Sequence, residues 1–142
     1  MRYDPAVTIV PVDVDTVRSA LLDARSVPTW NESITSISDG PDVATDASYE
    51  VTIQIGLRGH FQFGLVEPEH LEFRWEVPDL RECGRWDLRA LGPATRVAHL
   101  VWRHGALAIS LDHARREVAR QRLARLAYEL DRFATRPVGV TA

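Results

Sequence analysis

Four consecutive segments of the chain alternate apolar and polar residues with period two. Tyr49, Val51, Ile53 and Ile55 alternate with Glu50, Thr52 and Gln54; Phe61, Phe63 and Leu65 alternate with His60, Gln62 and Gly64. Leu71, Phe73, Trp75 and Val77 then alternate with Glu72, Arg74 and Glu76, and Trp86, Leu88 and Ala90 with Arg85, Asp87 and Arg89. Successive side chains on a strand point to opposite faces, so each segment reads as a strand with one apolar face. The connections Gly56–Gly59, Glu67–His70, Pro78–Arg81 and Leu91–Pro93 are short and rich in Gly and Pro. They leave no room for crossover helices and predict an antiparallel meander. Thr95–His104 reads as a further strand, but apolar residues lie on both of its faces, so its inward parity stays open.

A sheet with one apolar face needs cover. Leu111, Ala114, Val118, Leu123, Leu126, Leu130 and Phe133 recur at steps of three and four, which predicts a long helix from about Ser110 to Ala134. At the other end, Ala6–Val10 is a short strand ended by Pro11. Asp13 or Asp15 can cap the following helix, whose apolar face is Val14, Val17, Leu21 and Leu22, and Pro28 stops it. Pro28–Ser33 reads as a turn or a single helical turn, and Ile34–Ser38 as a weak strand before Asp39-Gly40-Pro41. The expected class is α+β: six to seven antiparallel strands around a long C-terminal helix, with two short helices after the first strand.

A chain of 142 residues fits one domain, with its core over about residues 6–134 and a fraying tail from Thr135 to Ala142. With 45% hydrophobic and 26% charged residues it is too apolar to be disordered. No apolar run approaches the roughly 20 residues of a membrane span, and the N-terminus lacks the pattern of a secretory signal. A net charge of −3 offers nucleic acid no electrostatic attraction. All 17 basic residues are Arg, which reflects either coding background or use of the bidentate guanidinium. The single Cys83 cannot form an internal disulfide, and a reducing cytoplasm is expected.

The order of elements resembles the helix-grip fold of the START-like (SRPBCC) superfamily, nearest to its polyketide cyclase/dehydrase and lipid-transport branch. The resemblance covers roughly Val7 to Phe133. It rests on Pro11-Val12-Asp13-Val14-Asp15 opening the first helix and on Val27-Pro28-Thr29-Trp30-Asn31 before the second strand. Gly84-Arg85-Trp86-Asp87-Leu88 and Ala94-Thr95-Arg96-Val97 in the late strands carry it further, with the C-terminal helix. None of these is a catalytic motif. The resemblance implies a cavity between sheet and long helix that takes apolar small molecules. Some members of the group cyclise or dehydrate polyketides and others only carry ligands.

The predicted inner face is strongly aromatic and holds no ionisable group. Phe61, Phe63, Phe73, Trp75 and Trp86 either fill a solid core or line a cavity for a flat or lipid-like ligand, with Leu126 on the facing helix. Arg115 and Arg122, seven residues apart on the long helix, fall on or near its apolar stripe. Either they snorkel to solvent or pair with strand carboxylates such as Glu76 or Asp87, or Arg122 enters the cavity and meets a carboxylate, enolate or phenolate. His99 is the second catalytic candidate: facing inward it is a neutral imidazole able to take a proton beside a ketone, and facing outward it joins Arg85 and Arg89. In the resembling family the segment Trp30-Asn31-Glu32 borders the cavity entrance, where Trp30 either gates a ligand or caps the core. Tyr49 can reach the same mouth.

Other signals are weak. His60 belongs outside or at the rim, and His104 and His113 in solvent. No metal-ligand spacing, phosphate loop or nucleophile elbow is present, and neither a metal nor a cofactor is expected. Glu67 and Glu69 flank Pro68 in a turn, and Arg116, Arg120, Arg125 and Arg132 are interspersed with acids as on a solvated helix face. Three functions remain in play: a binding protein for a polyketide-, aromatic- or lipid-like molecule, a cyclase, aromatase or dehydratase using His99 and Arg122, and an interaction protein forming a homodimer through the apolar outer strand residues Leu100 and Trp102.

Overall fold

A computed structural model of the chain describes residues 5–38, 48–107 and 115–134. In chain order the elements are β1 (Ala6–Val10), α1 (Val14–Leu22), a 3-10 turn (Ala24–Ser26), α2 (Val27–Trp30), β2 (Ile34–Ile37), β3 (Ser48–Ile53), β4 (Arg58–Val66), β5 (His70–Val77), β6 (Leu80–Leu91), β7 (Ala94–His104) and α3 (Arg115–Ala134). The strands form one sheet in the order β1-β7-β6-β5-β4-β3-β2, every neighbouring pair antiparallel. The meander runs from β2 to β7, and β1 adds to its far edge, as the expected architecture requires. The helical stretch from α1 to α2 carries the chain from one edge to the other.

Asp13 is the N-cap of α1 and accepts a hydrogen bond from the Thr16 amide at 3.3 Å, satisfying one of the free N–H groups of a first helical turn. The inner sheet face is packed by Val10, Tyr49, Val51, Phe61, Phe63, Phe73, Trp86 and Val97. Val17 and Leu21 of α1, Val27 and Trp30 of α2, and Leu123, Leu126 and Leu130 of α3 cover it. The candidates Leu111 and Ala114 lie outside the described residues, as does the start expected for the long helix at Ser110.

Two inward assignments are corrected. Leu65 is 43% exposed because β4 carries a bulge: Phe63 pairs with Phe73, but Val66 pairs with Leu71. The extra residue reverses the parity of the strand beyond Phe63. Ile55 is 69% exposed because β3 ends at Ile53 and the chain turns through Gln54–Leu57. The connection expected at Pro78–Arg81 is also shorter, a two-residue turn of Pro78 and Asp79 closed by the pair Val77 and Leu80. Consequently β6 begins four residues before the expected Gly84.

Gly84 and Gly105 are required by close approaches. A Cβ on Gly84 would lie 2.2 Å from Phe73 Cζ, so the bare backbone of β6 is what lets this ring lie against the sheet. Gly105 has φ 109°, and a Cβ there would lie 2.3 Å from the Asp79 carbonyl oxygen. That same carbonyl accepts a hydrogen bond from the Leu107 amide at 3.0 Å, tying the exit of β7 to the β5–β6 turn.

Candidate functional site

The choice between a solid core and a cavity resolves by position. In the middle of the sheet the aromatic rings interlock. Phe61 and Phe73 stack with centroids 5.7 Å apart, Phe61 meets Phe63 edge-on at 5.1 Å, and Trp30 meets Trp86 edge-on at 5.4 Å. Towards one end, where the β3–β4 and β5–β6 turns face α3, the packing opens into a cavity of about 360 Å³. That lies within the roughly 300–1,000 Å³ range of small-molecule pockets. Its apolar wall is Ile53, Ile55, Trp75, Leu80, Leu107 and Val118. Its polar wall is Glu32, Ser33, Gln54, Arg103, Gln121 and Arg122.

Arg122 sits on the buried stripe of α3, in line with Ala119, Leu123 and Leu126. Only 2% of its side chain is exposed. Its partner is neither Glu76 nor Asp87, which pair on the outer face with Arg81 and with His70 and Arg85. It is Glu82, fully buried on the inner face of β6. Arg122 donates from Nη1 to Glu82 Oε2 at 2.6 Å and from Nη2 to Oε1 at 2.9 Å, a bidentate pair. Trp75 Nε1–H also donates to Oε2, at 2.6 Å, and Arg103 Nε–H donates to Oε1 at 2.8 Å. Both arginines also reach Ser33 Oγ at a longer 3.4 Å. Burial by itself raises the Glu82 pKa, but the guanidiniums of Arg122 and Arg103 outweigh it and hold the carboxyl below its usual range. The inner face therefore does carry ionisable groups, Glu82 and Arg103 among them. Glu82 eludes the strand assignment that starts at Gly84, and Arg103 lies on the strand whose inward parity the sequence left open.

His99 faces inward with Val97 and Val101 and has no exposed surface. Its Nδ1–H donates to the Arg85 carbonyl oxygen at 3.0 Å, which leaves Nε2 as the acceptor nitrogen. The ring stacks on Trp86 with centroids 3.6 Å apart. Burial, reinforced by the positive charge of Arg122, pushes its pKa down to about 3. His99 is thus neutral, but it is a weak base and is absent from the cavity wall. Among the described residues, Nε2 is one of four buried polar atoms with no hydrogen-bond partner, with Trp30 Nε1, Asn31 Nδ2 and Trp86 Nε1.

Many solved structures share this architecture. DynU16, a protein of the dynemicin biosynthetic locus, is 23% identical over 91% of this chain and 47% of its own, with a TM-score of 0.65. The di-domain ARO/CYC BexL, from the BE-7585A biosynthetic pathway, is 16% identical over 96% of this chain and 48% of its own, with a TM-score of 0.72. A START superfamily protein from Mycobacterium smegmatis is 14% identical over 92% of this chain and 98% of its own, with a TM-score of 0.66. The fold is START-like. The chain spans about half the length of DynU16 and of BexL, and nearly the whole of the mycobacterial protein. No family model matches the sequence, and neither does any curated protein.

Within this START-like frame the candidate residues separate. Trp75 and Arg122 line the cavity. Trp30, Tyr49, Phe61, Phe63, Phe73, Trp86 and Leu126 are buried in the packed core and are not in its wall. The side chain of Arg115 lies outside the description, as does His113. Glu32 and Ser33, just after Trp30, do reach the cavity, and Glu32 pairs with Arg125 of α3 at 2.6 Å. His60 and His104 are exposed, while Leu100 and Trp102 are half-buried on the outer face of β7. Among the described residues no group of His, Cys, Asp and Glu side chains could hold a metal, and no helix is long and apolar enough to cross a membrane.

Proposed function

We propose that the protein binds an apolar small molecule in the cavity between the sheet turns and α3. The observation that carries this reading is the cavity itself: about 360 Å³, lined by Ile53, Trp75, Leu80 and Val118 together with two arginines whose side chains are buried. An apolar wall with a few fixed polar groups is the usual composition of a small-molecule site. A polyketide-, aromatic- or lipid-like ligand matches it, and carriage of such a ligand is the simplest activity.

Cyclisation or dehydration of a polyketide chain is the second reading. It is favoured by the likeness to a di-domain ARO/CYC and by the place of Arg122 in the wall. The acceleration would come from holding the chain in a reactive shape, with Arg122 stabilising an enolate. His99, stacked inside the core, is poorly placed to act as its base.

The test is thermal unfolding with and without naphthalene and dodecyl compounds. A ligand that binds only the folded form raises the melting temperature with concentration. The expected result is such a rise in the natural sequence and its loss in Val118→Trp, which fills the cavity from α3. Binding that persists in Val118→Trp, or no rise with any compound, refutes the reading.

A further inference from the structure

The polar wall of the cavity carries an imbalance of charge. Arg103 and Arg122 have side chains only 7% and 2% exposed, and the one carboxylate given to both among the described residues is Glu82. Two guanidiniums against one carboxylate leave one positive charge in excess, held away from water. Glu32 also lines the cavity, but its side chain is 41% exposed and its carboxylate is engaged by Arg125.

The hydrogen bonds show the same surplus. A guanidinium offers five N–H donors. The two arginines together make five bonds, three to Glu82 and two long ones to Ser33. Glu82 is itself saturated, since each of its oxygens already accepts two bonds. An isolated ionic group inside a protein is costly, and a buried guanidinium is stabilised most by a planar, negatively charged oxygen group.

Resting on the binding reading above, we propose that the cavity selects amphipathic acids. The apolar body lies against Trp75, Leu80 and Val118, and an anionic oxygen, of a carboxylate or phenolate, completes the charge balance of Arg103 and Arg122. Glu82 is a positioning residue in this arrangement. It fixes both guanidiniums and cancels one of their charges, so that a single anion is favoured.

The test compares isosteric pairs that differ in charge: 2-naphthoate with 2-naphthamide, and dodecanoate with dodecanamide, at pH 7 and moderate salt. The expected result is binding of the acid at least tenfold tighter than the amide in the natural sequence. In Arg103→Met, which leaves Arg122 and Glu82 as a neutral pair, the acid-over-amide ratio falls below threefold. Equal affinity for acid and amide in the natural sequence overturns the charge inference while leaving the cavity reading standing. So does an acid preference that survives in Arg103→Met. Binding of no member of either pair removes the cavity reading, and this inference with it. Should Arg103→Met fail to fold, the salt dependence of the natural protein decides: the acid loses affinity with added NaCl, the amide does not, and equal slopes overturn the proposal.

Discussion

His99 makes acid instability the most quantitative consequence of this core. In the unfolded chain it titrates near its ordinary value of 6.5, and in the folded protein at about 3. Between these values the unfolded state binds a proton that the folded state does not, so stability falls as pH falls. The slope approaches about 1.4 kcal/mol per pH step, and the expected loss between pH 6 and pH 5 is about 1.2 kcal/mol. His70 has the opposite sign. Its hydrogen bond to Asp87 raises its pKa against the effect of burial, so its contribution is fully present below 6.5 and is constant over this window. Urea unfolding followed by tryptophan fluorescence at pH 6.0, 5.5 and 5.0 measures the slope. His99→Phe keeps an aromatic ring against Trp86 and removes the titration, so its stability changes by about 1.2 kcal/mol less over the same interval. A variant with the slope of the natural sequence would show that another group governs the acid response.

Two further substitutions test the packing and the ion cluster. Gly84→Ala places a methyl group 2.2 Å from Phe73 Cζ, and the forced displacement of the ring is expected to cost about 1–3 kcal/mol in urea unfolding. Glu82→Gln keeps the shape of the side chain but leaves two buried guanidiniums without a counter-charge. The expected loss is about 3–5 kcal/mol, and a change below 1 kcal/mol would mean that the arginines escape to solvent with little penalty.

The sheet was legible because its signal is repeated: four segments of strict alternation fix faces and order together, and the short turns between them exclude a crossover. The site was legible only in part. Arg122 stood out because a charged residue interrupts an apolar helical stripe. Glu82 shares the parity of Leu80, Gly84 and Trp86, and Arg103 that of Val97, His99 and Val101, so both could have been placed inward by counting. What hid Glu82 was the length of a turn. With Pro78–Arg81 read as the connection, the first inward residues of β6 fell outside the strand, and Asp79 at φ 64° makes a tighter reversal than Pro and Asp suggest. Leu65 was misplaced for a different reason, since a bulge adds a residue without leaving a mark in the pattern of apolar side chains. The division between core and cavity had no local signal at all. It depends on how far the turns stand from α3, a property of the assembled layers.

The Glu82 carboxylate joins parts of the chain that are remote in sequence: Trp75 of β5, Arg103 of β7 and Arg122 of α3 meet on its two oxygens. Each of these pieces, in swinging away alone, gives up hydrogen bonds to that carboxylate. A guest large enough to need more room would therefore strain contacts of the late helix and of the last strand together. Amide exchange in the middle turns of α3 should then slow in step with that of β7 once a guest is seated.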